Sequence, residues 1–485
     1  MPPGIYRMNT ALLAMKAGNL ASLETIMIQI RMRIGACLLV MAVLAFPLPS
    51  LADSADDISV LKEQLQQTRK MLETMQKHLL QLEQKQNAQQ EAQEQTQAAV
   101  QQQAETVADV ASSASAGGSS SPNAFNPEIS AVLNGKYQIF SQSPDGFAIP
   151  GFPMGNAAGL DDRGLSLSES ELDVASNVDN LFFGSLTVSL DQGGGADVEE
   201  AFFQTLGMPL GLTLKAGRFF SGIGYLNQFH THHDDFIDRP LPYRAFLNTQ
   251  FGDDGVQLKW LAPTDRFVEL GGELLRGDAF PAAGAAHRGV GTWSVFAHTG
   301  GDVGISNSWK TGISYLRSSA HNRDAFDNKD NTIGDFSGNS RLWLADFVWK
   351  WAPNGNPVNR NFRFQSEGFY RSEHGHFGGS APASIYDGRQ YGWYTEGVYQ
   401  FAPRWKFGLR HAQLYADNSG PAVTKGSILD DRHNPHRDSL VLGFSNSEFS
   451  RIRLQLSRDD TQAQRDYQLS LQYLMLLGAH GAHQF

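Results

Sequence analysis

The chain has 485 residues, 39 lysines and arginines against 50 aspartates and glutamates, a net charge of −11 and a mean hydropathy of −0.32. Its one long apolar run lies near the N-terminus, which excludes a multi-span helical membrane protein, since that needs several stretches of roughly 20 apolar residues. The acidic balance and a pI near 5.7 exclude a nucleic-acid partner, and the sole cysteine, Cys37, falls in a segment expected to be removed, leaving no disulfide framework and no thiolate site.

Arg31 and Arg33 precede an apolar run of 13 residues, Ile34 to Phe46, and Ser50-Leu51-Ala52 offers small residues for cleavage before Asp53. This predicts a secretory signal ending at residue 52, with 1–31 as an extension in front of it and Met32 as the expected translation start. Ile58, Leu61, Leu65, Thr68, Leu72, Met75, Leu79 and Leu82 alternate spacings of three and four, a heptad seam. The stripe is too narrow to bury itself. Residues 53–110 are therefore expected to form a self-associating periplasmic coiled coil, the alternative being a solvated single helix. Residues 111–123 read as a Gly/Ser linker.

From residue 124 to 485 the period becomes two. Trp393, Thr395, Gly397 and Tyr399 alternate with Tyr394, Glu396, Val398 and Gln400; Leu469, Leu471 and Tyr473 alternate with Ser470, Gln472 and Leu474. Aromatic residues cluster at segment ends, as at interfacial girdles, while polar residues would face a watery lumen. Trp260-Leu261-Ala262-Pro263, Trp351-Ala352-Pro353 and Phe401-Ala402-Pro403 mark strand ends followed by tight turns. Other connections, such as 318–340 and 372–390, read as long polar loops. Short turns at one end and long loops at the other predict an all-β transmembrane barrel of about sixteen antiparallel strands, preceded by the α-helical coiled coil.

Ala216-Gly217-Arg218-Phe219-Phe220, a polar loop and Phe236-Ile237-Asp238-Arg239-Pro240-Leu241-Pro242-Tyr243-Arg244-Ala245-Phe246 resemble the corresponding strand end and loop of the phosphate-selective porin-like outer-membrane channels. His230-Thr231-His232-His233-Asp234-Asp235 and the terminal Gly481-Ala482-His483-Gln484-Phe485 resemble a branch described as zinc-regulated, TonB-dependent receptors. The resemblance implies a homotrimer in the outer membrane of a Gram-negative bacterium, with a loop folded into each pore. An energised receptor carries a plug and about 22 strands; at about 22 residues per strand with its connection, this barrel supports about sixteen, and a heptad segment stands where the plug would be.

Three constellations bear on function. His230, His232, His233, Asp234 and Asp235 are candidate ligands for transported or weakly bound Zn²⁺, since imidazole and carboxylate are the donors left when cysteine is absent; the alternative is a solvated polar loop. Alternation turns Lys215, Glu269, Glu273, Arg363, Glu367, Arg371, Glu396, Lys406, Arg410, Arg451 and Arg453 inward as candidate pore-lining residues. This mixed set is not the one-sided basic ladder of a phosphate-selective pore, and its alternative reading is a brace of lumen salt bridges. Asp-Asp pairs at 161–162, 234–235, 253–254 and 430–431 are the nearest approach to a catalytic motif, with no serine motif beside a histidine. The expected function is passive diffusion of small hydrophilic solutes, metal ions or chelates among them, without catalysis or cofactor; the competing function is a receptor or an envelope-tethering barrel without a general pore.

Overall fold

The computed structural model describes residues 127–478, apart from 191–193, 284–288, 330, 380, 425–429 and 431. The signal (1–52), the coiled coil (53–110), the linker (111–123) and the terminal segment to Phe485 lie outside the described residues.

Seventeen β-segments follow one another: β1 (Glu128–Phe140), β2 (Gly164–Leu167), β3 (Ser170–Asn177), β4 (Phe182–Leu190), β5 (Ala196–Thr205), β6 (Leu212–Phe220), β7 (Gly252–Leu261), β8 (Phe267–Leu275) and β9 (Thr292–Val303). Then come β10 (Asn307–Phe326), β11 (Thr332–Trp351), β12 (Asn361–Gly378), β13 (Ser384–Ala402), β14 (Trp405–Ser419), β15 (His436–Ser447), β16 (Ser450–Asp460) and β17 (Asp466–Gly478). Each pairs antiparallel with its neighbour in sequence, except that β2 and β3 both pair with β1 and form one interrupted strand. The ring closes where β1 meets β17, from Ser130 opposite Gly478 to Phe140 opposite Gln468. The fold is thus a closed barrel of 16 antiparallel strands. Closure leaves no edge strand among the described residues, the arrangement that lets a sheet pass through hydrocarbon. No helix among the described residues is long and apolar enough to cross a membrane.

The pleat sorts side chains to two faces, and the sorting is inverted relative to a soluble protein. On β17, Gln468, Ser470 and Gln472 are buried inside while Tyr467, Leu471 and Tyr473 face out. The outward face carries two aromatic belts. Trp293, Tyr315 and Trp343 form a row with ring centroids 5.3 and 4.6 Å apart, and Tyr370 and Tyr391 extend it. Nearer the short turns, Trp349 meets Phe362 at 5.7 Å and Trp405 meets Phe444 at 4.8 Å. On β11, Trp343 and Trp349 are separated by about 20 Å at roughly 3.3 Å per residue, comparable with an apolar band of about 25 Å.

The segments expected to be long loops at 318–340 and 372–390 are instead mostly strand. The β10–β11 hairpin runs to Phe326 and resumes at Thr332, and β12–β13 runs to Gly378 and resumes at Ser384. Their polar character reflects an outer face beyond the aromatic belt, in water. Their inner face packs Ala320, Ala325, Phe336, Phe377 and Tyr386 into a small core of its own.

Two loops at the other end from the short turns, 141–163 and 221–251, fold into the barrel. The second contains helix α1 (Leu241–Leu247), all of it buried. Pro240 caps it and Pro242 sits in its first turn, where no backbone donor is missed; Asn248 ends it in the left-handed conformation, at φ 52°. Phe246 stacks on Phe369 at 5.5 Å and meets the edge of Phe152 at 5.5 Å. With Ile149, Met154, Leu241 and Phe251 from the loops, and Phe296, Leu316, Leu342, Leu344 and Leu414 from β9, β10, β11 and β14, they form the main hydrophobic core. The lumen beside β9–β14 is therefore filled at the level of this core, and polar space remains toward β1–β5, β15 and β17 at the long-loop end and beside β11–β16 at the short-turn end.

Candidate functional site

The inserted loop is pinned at its base by two wall carboxylates. Glu367 on β12 accepts from the Tyr225 and Leu226 backbone N–H groups at 3.0 and 3.1 Å and from the Tyr243 and Tyr394 hydroxyls at 2.9 and 2.6 Å. Glu273 on β8 accepts from Gly222 N–H at 2.8 Å and from Gln257 at 2.7 Å, together with the Ser221 and Ser294 hydroxyls. Asn227 ties the two ends of the loop together, donating to the Ser221 and Phe251 carbonyls and accepting from Phe251 N–H at 2.7 Å. A buried carboxylate is tolerated where donors converge on it in this way.

Further along, the loop meets a basic wall. Asp235 pairs with Arg363 at 2.7 Å and Lys406 at 3.2 Å. Asp238 pairs with Arg437 at 2.6 Å and with Arg410. Arg451 donates to the His232 carbonyl, and Arg453 donates to the carbonyls of Asp234 and, at 2.9 Å, Phe236. Burial alone would raise both aspartates. The guanidinium of Arg363 with the Lys406 ammonium, and the guanidiniums of Arg437 and Arg410, overturn this and hold Asp235 and Asp238 well below the usual carboxylate range. Asp234, 3.0 Å from Arg239, is buried as well, but there burial outweighs the attraction of the surrounding guanidiniums and keeps its carboxyl above its ordinary value.

The five candidate metal ligands do not converge on one point. His230 and His232 turn toward the wall; Asp234 and Asp235 turn toward the arginines; the His233 ring lies 4.2 Å from that of His232 and borders the vestibule at the short-turn end. His230 and His232 meet carboxylates that were not among the candidates: Glu171 on β3 and Glu199 and Glu200 on β5. The His230 Nδ1 atom lies 3.2 Å from both Glu171 and Glu199, its Nε2 lies 3.1 Å from Glu200, and His232 Nδ1 lies 2.9 Å from Glu171. Thr231 donates to Glu169 at 2.9 Å. Burial would lower the His230 pKa, but the carboxylates of these three glutamates hold it well above the ordinary histidine range. Adjacent residues in a strand normally face opposite ways; Glu199 and Glu200 both reach the lumen because the β4–β5 register slips between Thr187 and Val188, leaving Glu199 as an extra residue in a bulge.

All eleven candidate pore-lining residues stand on the lumen face, and eight of them touch the inserted loop: Glu273, Arg363, Glu367, Arg371, Lys406, Arg410, Arg451 and Arg453. Of the other three, Glu396 approaches Arg363 at 3.5 Å, Glu269 pairs with Lys259 at 3.1 Å, and Lys215 lies 4.1 Å above the Phe202 ring. The loop divides the lumen into two vestibules. One, of about 660 Å³ at the short-turn end, is bordered by Lys350, Arg363, Arg404, Lys406 and Arg451. The other, of about 760 Å³ at the long-loop end, is bordered by acids (Asp145, Asp161, Asp162, Glu169 and Asp197) and by bases (Lys136, Lys329, Arg244 and Arg437), with Lys136 paired to Asp161 and Lys329 to Asp145. Asp234 borders both, so they approach each other across the loop there.

No family model matches the chain. An uncharacterised protein of Aquifex aeolicus (strain VF5) is 29% identical over 340 residues, covering 67% of this chain and 70% of that protein. Among solved structures, the outer membrane channel DcaP of Acinetobacter baumannii is similar with a TM-score of 0.47 at 11% identity, over 74% of this chain and 99% of that one. OprB of Pseudomonas putida gives 0.46 at 12% identity, over 73% and 95%. The trimer form of Vibrio cholerae OmpT gives 0.44 at 11%, over 73% and 100%.

Proposed function

We propose that the chain is a porin-like channel of the Gram-negative outer membrane, admitting small hydrophilic solutes by passive diffusion. The observation that carries this reading is the inserted loop: a barrel apolar outside and polar inside is narrowed by a segment fastened on three sides, with charged, water-accessible vestibules on either face of it. A structural anchor needs no vestibules, and a nucleophile or cofactor has no part in diffusion. Selectivity then follows from the width left beside the loop and from the charges bordering it. At the long-loop end acids border the lumen in slight excess over bases, a small bias toward cations, metal ions and their cationic chelates among them, and the basic excess of the vestibule beyond it disfavours their retention.

Assembly as a homotrimer belongs to the same proposal. It is supported by the heptad seam from Ile58 to Leu82 and by the uneven wall, in which β3–β8 have 8–10 residues while β10–β13 have 18–20. Liposome swelling with neutral sugars of increasing size tests the channel reading: entry of small sugars with a sharp size cut-off is expected. Folded protein that leaves every sugar excluded would leave the tethering or receptor reading in its place.

A further inference from the structure

Two loop histidines and a wall glutamate converge on one point where the loop reaches β3. We propose that Glu171, His230 and His232 form a binding site for a divalent metal ion of the zinc type, which clips the inserted loop to the barrel wall.

Each of the three offers a donor atom, and these atoms lie within 4.8 Å of one another. Two donors on a tetrahedral zinc-type ion, bound at 2.0–2.1 Å, stand about 3.3 Å apart. Here His230 Nδ1 lies 3.2 Å from Oε2 of Glu171 and His232 Nδ1 lies 2.9 Å from its Oε1, so each imidazole stands near ligand spacing from one oxygen of a carboxylate that can bind an ion through either or both. Glu199, also 3.2 Å from His230 Nδ1, can supply a fourth donor.

The hydrogen bonding is also what such a site requires. A nitrogen of an imidazole carries at most one proton, yet His230 Nδ1 faces the carboxylates of both Glu171 and Glu199. One Glu171 oxygen is buried without a well-formed hydrogen bond. An ion at this point serves all three groups at once. The far nitrogen of His230 lies 3.1 Å from Glu200, the outer carboxylate contact that commonly orients a metal-bound histidine. Two imidazoles with carboxylate suit zinc, cobalt or nickel, whereas calcium and magnesium take oxygen donors.

Burial decides what the ion does. The side chains of Glu171 and His232 are 1% and 4% exposed, so the site is a resident clasp and not a station for passing solute. The ligands come from both sides of the junction, two from the loop and one from β3, so the ion cross-links the loop to the wall. That consequence for the pore rests on the channel reading; the binding itself does not.

The test uses the full chain, refolded in detergent and stripped with a chelator. Isothermal titration with Zn²⁺ and visible spectroscopy with Co²⁺ are compared for wild type, His232→Ala, Glu171→Gln and His374→Ala, the last an exposed histidine away from the cluster. One Zn²⁺ per chain, an intense tetrahedral cobalt band, no competition by Mg²⁺ or Ca²⁺, and affinity lowered about 10–100-fold by Glu171→Gln and His232→Ala but not His374→Ala are expected. Glu171→Gln keeps the side-chain volume, so it reads the site even if His232→Ala impairs folding. Absence of binding to folded wild type, or binding unchanged in Glu171→Gln, overturns the proposal and leaves an ion-pair latch. Planar-bilayer recording of the same samples separates the two readings: binding without conductance refutes the channel and keeps the site, and conductance without binding does the reverse.

Discussion

Glu367 on β12 accepts the backbone N–H of Tyr225 at 3.0 Å, joining residues 142 positions apart across the lumen of the barrel. The same carboxylate holds Leu226 N–H and two tyrosine hydroxyls. Gly224, at φ 63°, makes this approach possible, since a Cβ there would lie 2.6 Å from a Glu367 oxygen and 3.0 Å from the Tyr243 hydroxyl. Glu367→Ala orphans several buried donors, each worth roughly 1–3 kcal/mol. Both Glu367→Ala and Gly224→Ala should lower the temperature at which the folded band is lost in detergent gels and should free the loop. Hydrogen exchange at 222–228 measures the release directly, and unchanged protection there would remove Glu367 as the anchor.

Asp238 gives the loop an acid-resistant hold. Its folded-state pKa lies below that of the unfolded chain, so its contribution is fully present above the ordinary carboxylate range of about 4 and is lost only as pH falls well beneath it. Asp238→Asn should cost roughly 1–3 kcal/mol at pH 7 through weaker bonds to Arg410 and Arg437. The gap between wild type and variant should persist down to about pH 4.5. Thermal denaturation across this range checks it; equal stability of wild type and variant at pH 7 would mean that the pair is solvated.

Phe246 fills the lumen beside β9–β14 between Phe369 and Phe152. Its truncation to alanine should destabilise the inserted helix by about 3–5 kcal/mol. The wall itself, satisfied by its own ladder, should remain assembled in detergent with the heat-modifiable gel shift intact.

How far the sequence led differs between wall and loop. The wall was legible because strands that face lipid on one side and water on the other must alternate, as Leu471, Gln472 and Tyr473 do. Where that contrast ends, at Ala320 or Tyr386, strands continue on both sides of the hairpin in water, and the polar pattern resembles a loop. The inward direction of Arg453 or Glu273 followed from the period, but their partners did not, because Arg453 and Asp234 are 219 residues apart. Glu199 and Glu200 were invisible for another reason: strict alternation sends one of them to lipid, and only the bulge brings both inside. The histidine-rich stretch could be read as donor chemistry, but the choice of Glu171 over Asp234 and Asp235 as its neighbour depends on arginines from β12 and β16 that claim this stretch first.

The register of β17 can be tested through two adjacent residues. Leu471 faces out, and Leu471→Arg should impair insertion by roughly 2–4 kcal/mol if placed near the bilayer midplane. Gln472 faces in and accepts from Arg453 Nε at 2.7 Å, so Gln472→Glu keeps an acceptor for that guanidinium and should assemble normally. Folded yield in lipid vesicles reads both, and the opposite ranking would displace the strand by one residue.

The central claim is that the inserted loop narrows an otherwise continuous pore, and single-channel conductance in planar bilayers tests it most directly. Wild type is compared with a chain in which residues 229–239 are replaced by a short Gly/Ser segment. Discrete steps from wild type and larger, less ion-selective steps from the shortened chain are predicted. Folded wild type that gives no steps, or two proteins with steps of equal size, would contradict the account.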